Sequence, residues 1–127
     1  MSNAGVVRSL FDDFNRGDYE AAFQKIAEDV DWHEPPDMPD AGGGYRGHEG
    51  MVSGFGRFLS AWEHIRADLV QVVERGERVV VMTRWRGLSK GTGIEVDQWI
   101  AQIYELREGR VVRVRQFRTL EEALAAP

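Results

Sequence analysis

The chain has 127 residues, 43% of them hydrophobic, 10% aromatic and 29% charged. That is the balance of one compact domain, and a chain of this length buries roughly two-thirds of its unfolded surface without metals or cross-links, so residues 1–127 are expected to form a single domain. Lys and Arg number 16 against 21 Asp and Glu, a net charge of −5, which argues against holding phosphate backbones or anionic lipid through overall charge; the lack of cysteine removes disulfides, thiolate nucleophiles and thiolate-bound metals.

In chain order, Met1 to Leu10 have no basic stretch followed by an apolar run, and no segment approaches the ~18 apolar residues of a membrane span. A cytoplasmic protein without a membrane segment is expected. Val7, Leu10, Phe11 and Phe14 recur at helical spacing, predicting an amphipathic helix from about Gly5 to Arg16 that stops near Gly17. Asp18 can cap a second, shorter helix carrying Tyr19, Ala22, Phe23 and Ile26. From Asp29 to Glu34 the pattern is extended, because Val30 and Trp32 favour strand and Pro35-Pro36 forbid helix at Glu34. Pro35 to Gly44 reads as a loop within the domain. A third helix is expected from His48 to Glu63, with Met51, Phe55, Phe58, Leu59 and Trp62 on one stripe, although Gly50, Gly54 and Gly56 weaken it by about 1 kcal/mol each.

The apolar period then changes to two. Strands are expected over Ile65 to Glu74, Arg78 to Gly87, Ile94 to Leu106 and Arg110 to Arg118, joined by short Gly-containing turns that suit antiparallel neighbours. Thr119-Leu120-Glu121-Glu122 matches a capping box and opens a last short helix. Helices packed on one face of a strongly bent antiparallel sheet, an α+β domain, is the architecture this order predicts. Strand parity points Val112, Val114, Gln116 and Arg118 toward the helices, together with Val79, Val81, Thr83 and Trp85. The strand from Ile94 to Leu106 is apolar on both faces, with Ile100, Gln102 and Tyr104 on one and Asp97, Trp99, Ala101 and Ile103 on the other. An apolar outer face without helices predicts a homodimer whose contact includes Trp99.

Several segments match a known pattern: Phe14-Asn15-Arg16-Gly17-Asp18, Asp29-Val30-Asp31-Trp32-His33-Glu34-Pro35, Tyr45-Arg46-Gly47-His48-Glu49-Gly50, Gly91 to Val96, Arg107 to Val112, and Glu121-Glu122-Ala123-Leu124. Together they cover nearly the whole chain, and the sequence resembles the nuclear transport factor 2-like superfamily, in particular its SnoaL-like, polyketide cyclase-type branch. The resemblance implies a conical α+β barrel of the cystatin-like kind with a pocket between helices and sheet. It also implies that Glu34 stands where ketosteroid isomerase carries its proton-shuttling carboxylate, so Glu34 is the candidate catalytic acid–base; the other reading is a rim carboxylate, solvated or paired with Arg118. Leu10 stands where the isomerase has its tyrosine oxyanion donor, and Gln102 where it has its protonated aspartate. Gln102 and Gln116 occupy the acid–base positions of the cyclase pattern. Amides donate and accept hydrogen bonds but deliver no proton, which argues against either reaction as the relatives perform it. An epoxide-hydrolase set built from Glu34, Arg118 and Asp97 fails on the parity of Asp97.

Phe14, Trp32, Tyr45, Met51, Trp62, Trp85 and Tyr104 are expected to line the pocket, with Gln102, Gln116, Arg118 and Glu34 as polar contacts. Such a lining suits a small apolar or aromatic molecule. No cofactor and no metal is expected, since His33, His48, Glu49, Asp37 and Asp40 follow no ligand spacing. Gly42-Gly43-Gly44 lacks the neighbours of a phosphate loop. The stripe of Arg84, Arg86, Lys90, Arg110, Arg113 and Arg115 could hold RNA or an acidic partner, but with Glu74, Glu77, Glu105 and Glu108 nearby it reads as a solvated outer face with cross-strand pairs, so no nucleic acid is expected. The two functional readings are an acid–base isomerase, cyclase or hydratase, and a non-catalytic binding or interaction module on the same fold.

Overall fold

The computed structural model describes residues 2–33 and 44–127, without the side chain of Phe58. Its elements are α1 (Asn3–Asn15), α2 (Tyr19–Gln24), β1 (Ile26–His33), β2 (Gly44–Arg46), α3 (Gly47–Ser60), β3 (Trp62–Arg75), β4 (Arg78–Ser89), β5 (Glu95–Arg107), β6 (Arg110–Phe117) and α4 (Leu120–Ala125). The strands form one curled six-stranded sheet in the order β2-β1-β6-β5-β4-β3. Its pairs are antiparallel except β1 with β6, which run parallel and set Trp32 beside Val114.

Alternation in the strands decides which face is covered. Val79 and Val81 of β4, Tyr104 of β5 and Val114 of β6 are buried with Val7, Leu10 and Phe11 of α1 in the main core. Val80, Ala101 and Ile103 point the other way into a second cluster with Ala123. That second cluster is where the architecture departs from expectation. α4 packs on β4, β5 and β6 on the outer face, so part of the apolar outer surface is covered by the chain's own last helix. Thr119 caps this helix through its hydroxyl, 3.1 Å from the Glu122 amide.

Two further departures have local causes. The helical stripe from Met51 runs on through Trp62 in sequence, yet α3 ends at Ser60 and Trp62 opens β3 opposite Ser89, because strand pairing satisfies backbone groups that a fraying helix end leaves open. β2 has no alternating pattern to announce it. It exists because Gly44 adopts φ 127° and lies so close to the Trp32 carbonyl that any Cβ would collide with it. The β5–β6 turn, by contrast, follows its sequence: Glu108 at φ 53° and Gly109 at φ 76° form the two-residue connection with positive φ at both positions that a tight hairpin needs.

Polar contacts fix α1. Asn15 uses its side-chain amide as a substitute strand, accepting from the Ala67 N–H at 2.9 Å and donating to the Ala67 carbonyl at 2.7 Å. Asp13 is only 3% exposed and is neutralised by Arg16 at 2.6 Å and Lys25 at 2.5 Å, which ties α1 to the chain just before β1.

Candidate functional site

A cavity of about 220 Å³ lies between the first three helices and the inner face of the sheet. α1 contributes Leu10, Phe11 and Phe14; α2 contributes Tyr19, Ala22 and Phe23; β1 contributes Ile26 and Trp32. Across from them stand Met51, Val52, Phe55, Gly56 and Leu59 of α3, with Trp85 and Tyr104 from the sheet. The helices present these residues because their i, i+3, i+4 stripes face the sheet, and Trp32, Trp85 and Tyr104 do so by strand parity.

The rings brace one another in edge-to-face and tilted pairs. Phe14 is the hub, with centroids 5.5 Å from Trp85, 5.7 Å from Phe55 and 5.8 Å from Tyr19. Trp32 meets Tyr104 at 6.2 Å and 87°, and Phe11 meets Tyr104 at 5.9 Å. Each such pair contributes about 0.5–1.5 kcal/mol beyond area burial and fixes the ring planes. The polar atoms of Trp85 and Tyr104 are committed inside the protein. Trp85 Nε1 donates to Thr83 Oγ1 at 2.9 Å, and Thr83 donates onward to the Ile100 carbonyl at 2.6 Å. The Tyr104 hydroxyl donates to Gln102 Oε1 at 2.9 Å. Burial pushes Tyr104 far above the ordinary tyrosine pKa, so this hydroxyl stays protonated and serves as a donor, never as a base.

Of the residues proposed from sequence, Phe14, Trp32, Met51, Trp85 and Tyr104 line the cavity. Tyr45 packs against the same core from β2 but is not among the lining residues; its ring rests on Gly54 of α3, where a Cβ would overlap it. Trp62, in β3, is likewise outside the lining. Gln102 is wholly buried on the inner face, opposite Gln116 in the β5–β6 register. Arg118 is exposed just past the end of β6. Glu34, Asp37 and Asp40 lie outside the described residues. His33 pairs with Asp31 at 2.8 Å, His48 contacts the Ile26 carbonyl through Nε2 at 2.7 Å, and among the described residues no three His, Asp or Glu side chains are grouped to hold a metal.

Phe55, Leu59, Tyr19 and Phe23 belong to the cavity and were read from sequence only as helix stripe. Their spacing was the available signal, and it does not separate a residue that fills the core from one that faces an opening within it.

On the outer face, beyond α4, Asp68 accepts from Arg66 at 2.7 Å and Arg86 at 2.6 Å. Arg84 grips Asp97 with two bonds of 2.9 and 2.6 Å and stacks over Trp99 at 5.2 Å. Burial pushes the Asp68 carboxyl up, but the hydrogen bonds and charges of Arg86 and Arg66 outweigh it and hold the group below the ordinary carboxylate value.

A family model described as the SnoaL-like domain matches residues 7–114. No curated protein matches the chain. Among solved structures, an NTF2-like protein of unknown function from Burkholderia pseudomallei K96243 superposes with a TM-score of 0.82 at 24% identity, covering 98% of this chain and 96% of its own. TerC, co-crystallised with polyporic acid, gives a TM-score of 0.81 at 20% identity, covering 96% and 95%. A protein of ketosteroid isomerase-like fold from Catenulispora acidiphila DSM 44928, in complex with trimethylamine, gives 0.76 at 16% identity, covering 94% and 89%.

Proposed function

The chain belongs to the SnoaL-like domain family, and from that premise we propose that it binds a small apolar or aromatic molecule in the cavity between α1, α2, α3 and the sheet. One observation carries the reading: an aromatic-walled space of about 220 Å³ whose Trp85 and Tyr104 polar atoms are already hydrogen-bonded within the protein. An apolar guest is favoured there by burial, at about 25 cal/mol per Å² of surface removed from water. The ligands named for TerC and for the Catenulispora protein, polyporic acid and trimethylamine, belong to those proteins; they support small-molecule binding as a use to which this fold is put.

Glu34 is the proposed acid–base group. Its support is its place in the sequence, one residue past β1 and two past the cavity residue Trp32. The outer-face patch around Trp99, which is 50% exposed and carries paired charges of both signs, is proposed as a self-complementary homodimer contact; Trp99→Lys should then halve the mass seen by light scattering, and an unchanged mass would dismiss the contact. A cytoplasmic location is proposed with it, since a chain without cysteine needs no oxidising compartment to fold.

Calorimetric titration with 2-methylnaphthalene tests the binding reading. One molecule should bind per chain, and Phe55→Asp, which sets a charge in the apolar wall, should abolish the heat; absence of binding to the unaltered protein would overturn the proposal.

A further inference from the structure

We propose that the ligand of this cavity is an elongated amphiphile held partly outside the protein: its apolar body fills the cavity, its polar-ended chain leaves between α2 and α3, and Gly56 is the position that lets the chain pass. The inference rests on the binding function proposed above. It adds the route of entry, the residue that decides how long a ligand is accepted, and the end of the molecule that carries the polar group.

The first observation is which lining residues meet water. Most of the described wall is buried or half-buried, but Tyr19 is 40% and Val52 59% exposed, and Gly56 is exposed as well. A residue that borders both cavity and solvent marks an opening. The helices explain why the opening falls there. The Phe23 ring of α2 meets His48 of α3 with centroids 5.3 Å apart, which closes one end of the cleft between them. From that contact, one turn back along α2 is Tyr19, and one and two turns onward along α3 are Val52 and Gly56. Beyond it α2 packs on α1 and β1, and α3 on β1, β2 and β3, so each helix is held by other elements and the cleft stays open.

The second observation is Gly56 itself. Glycine is a poor helix former, and a helix keeps one where packing or backbone conformation demands it. Gly54 has such a reason, since a Cβ there would overlap the Tyr45 ring. Gly56 has neither: a Cβ would meet nothing within 4 Å, and its φ lies outside the left-handed region. The space a side chain would enter is the passage, because residue 56 borders both cavity and solvent. The missing side chain keeps that passage clear at the expense of the helix.

The chemistry of the wall then orients the guest. The cavity of about 220 Å³ is smaller than the roughly 300–1,000 Å³ of pockets that take in a drug-sized ligand, so a longer molecule fills it and projects. No described lining side chain carries a charge, and an ionised group without a partner is strongly disfavoured in such surroundings. The polar end therefore stays in water, and the stretch that crosses the opening lies against the apolar faces of Tyr19 and Val52, which suits a methylene chain.

The test compares 2-methylnaphthalene with 4-(2-naphthyl)butanoate by calorimetric titration of the full chain. The unaltered protein should bind the long probe within ~tenfold of the short one, because its carboxylate remains in water; a larger deficit would mean that the charge is forced into the apolar wall and would overturn the proposal. Gly56→Leu should lower the long-to-short affinity ratio by at least ~tenfold and Gly56→Ala by less, while Ser53→Leu, on an exposed residue of α3 outside the lining, should leave it unchanged. The ratio is taken within each variant, so a change in stability that weakens both probes alike does not move it. A ratio that Gly56→Leu leaves unchanged, or loss of both probes in that variant, would show that residue 56 does not border the path of the chain. Failure of both probes to bind the unaltered protein would instead bring down the binding function itself.

Discussion

Replacing Asn15 by Ala should destabilise the protein by about 2 kcal/mol, and the figure follows from the geometry of one side chain. Among the described residues β3 is the last strand in the sheet and one edge of its backbone has no strand partner, yet Ala67 is 0% exposed and its N–H and carbonyl must be satisfied. Asn15 does so with bonds of 2.9 and 2.7 Å. Each intramolecular hydrogen bond contributes a net ~1 kcal/mol, and the loss rises toward ~2 kcal/mol per group when water cannot reach what is left behind. Two bonds therefore set the loss at about 2 kcal/mol if water enters the gap and near ~4 kcal/mol if it does not. For a chain of this size ~1 kcal/mol corresponds to about 4 °C, so thermal unfolding should begin at least ~8 °C lower, with the urea m-value unchanged. Asn3→Ala, which removes a single exposed bond of 3.0 Å to the Gly76 carbonyl, should cost under ~0.5 kcal/mol and serves as the control. If Asn15→Ala costs no more than Asn3→Ala, the edge of β3 is satisfied by some other group and the account of how α1 is docked is wrong.

Two glycines of α3 should respond in opposite directions. An added Cβ at Gly56 meets nothing within 4 Å, whereas at Gly54 it overlaps the Tyr45 ring; Gly56→Ala should stabilise by up to about 1 kcal/mol and Gly54→Ala should destabilise, both read from urea midpoints, and stabilisation by both would show that Tyr45 is not seated on the helix. Asp68 gives a pH signature. Its folded value lies below the ordinary 3.8, so its contribution is present above that pH and is lost as pH falls through the lower folded value. The stability difference between the unaltered protein and Asp68→Asn should accordingly shrink below about pH 4; a difference that stays constant to pH 2 would refute the assignment.

What sequence could and could not convey divides along physical lines. Strand parity depends only on alternation, so the inward set of Val79, Val81, Trp85, Gln102 and Tyr104 and the outward set of Arg84, Arg86 and Trp99 were readable without a structure. Caps are local as well, and Asp18 and Thr119 stand where their side chains can accept from the first turn of α2 and α4. Features that depend on distant partners were not readable. Trp62 fits a helical stripe as well as a strand, and its pairing with Ser89, remote in sequence, decides the matter. β2 depends on the approach of Gly44 to Trp32, and the placement of α4 on the outer face depends on which apolar patch remained open after α1, α2 and α3 had covered the inner one. The aromatic stripes announced burial, but a cavity is an absence of atoms between them, and spacing along a helix carries no information about it.

The described cavity can hold a molecule more readily than it can move a proton. Tyr104 is kept protonated by burial and spends its hydrogen on Gln102; Gln102 and Gln116 do not titrate; Leu10, where the resemblance would ask for a donor, is part of the apolar wall. Tyr19 is the other titratable side chain among the described lining residues, and it is partly exposed at the cavity's edge. Under the proposed function, acid–base chemistry near neutrality is assigned to Glu34, and binding need not depend on it. Glu34→Gln separates the two: an amide nearly matches the carboxylate in size but cannot exchange a proton, so any turnover assigned to this site should fall by at least ~100-fold, while calorimetric affinity for 2-methylnaphthalene should change by less than about threefold. Retained turnover would remove Glu34 from the mechanism. Lost affinity would show instead that the carboxylate helps to form the cavity and that its role is to hold the ligand.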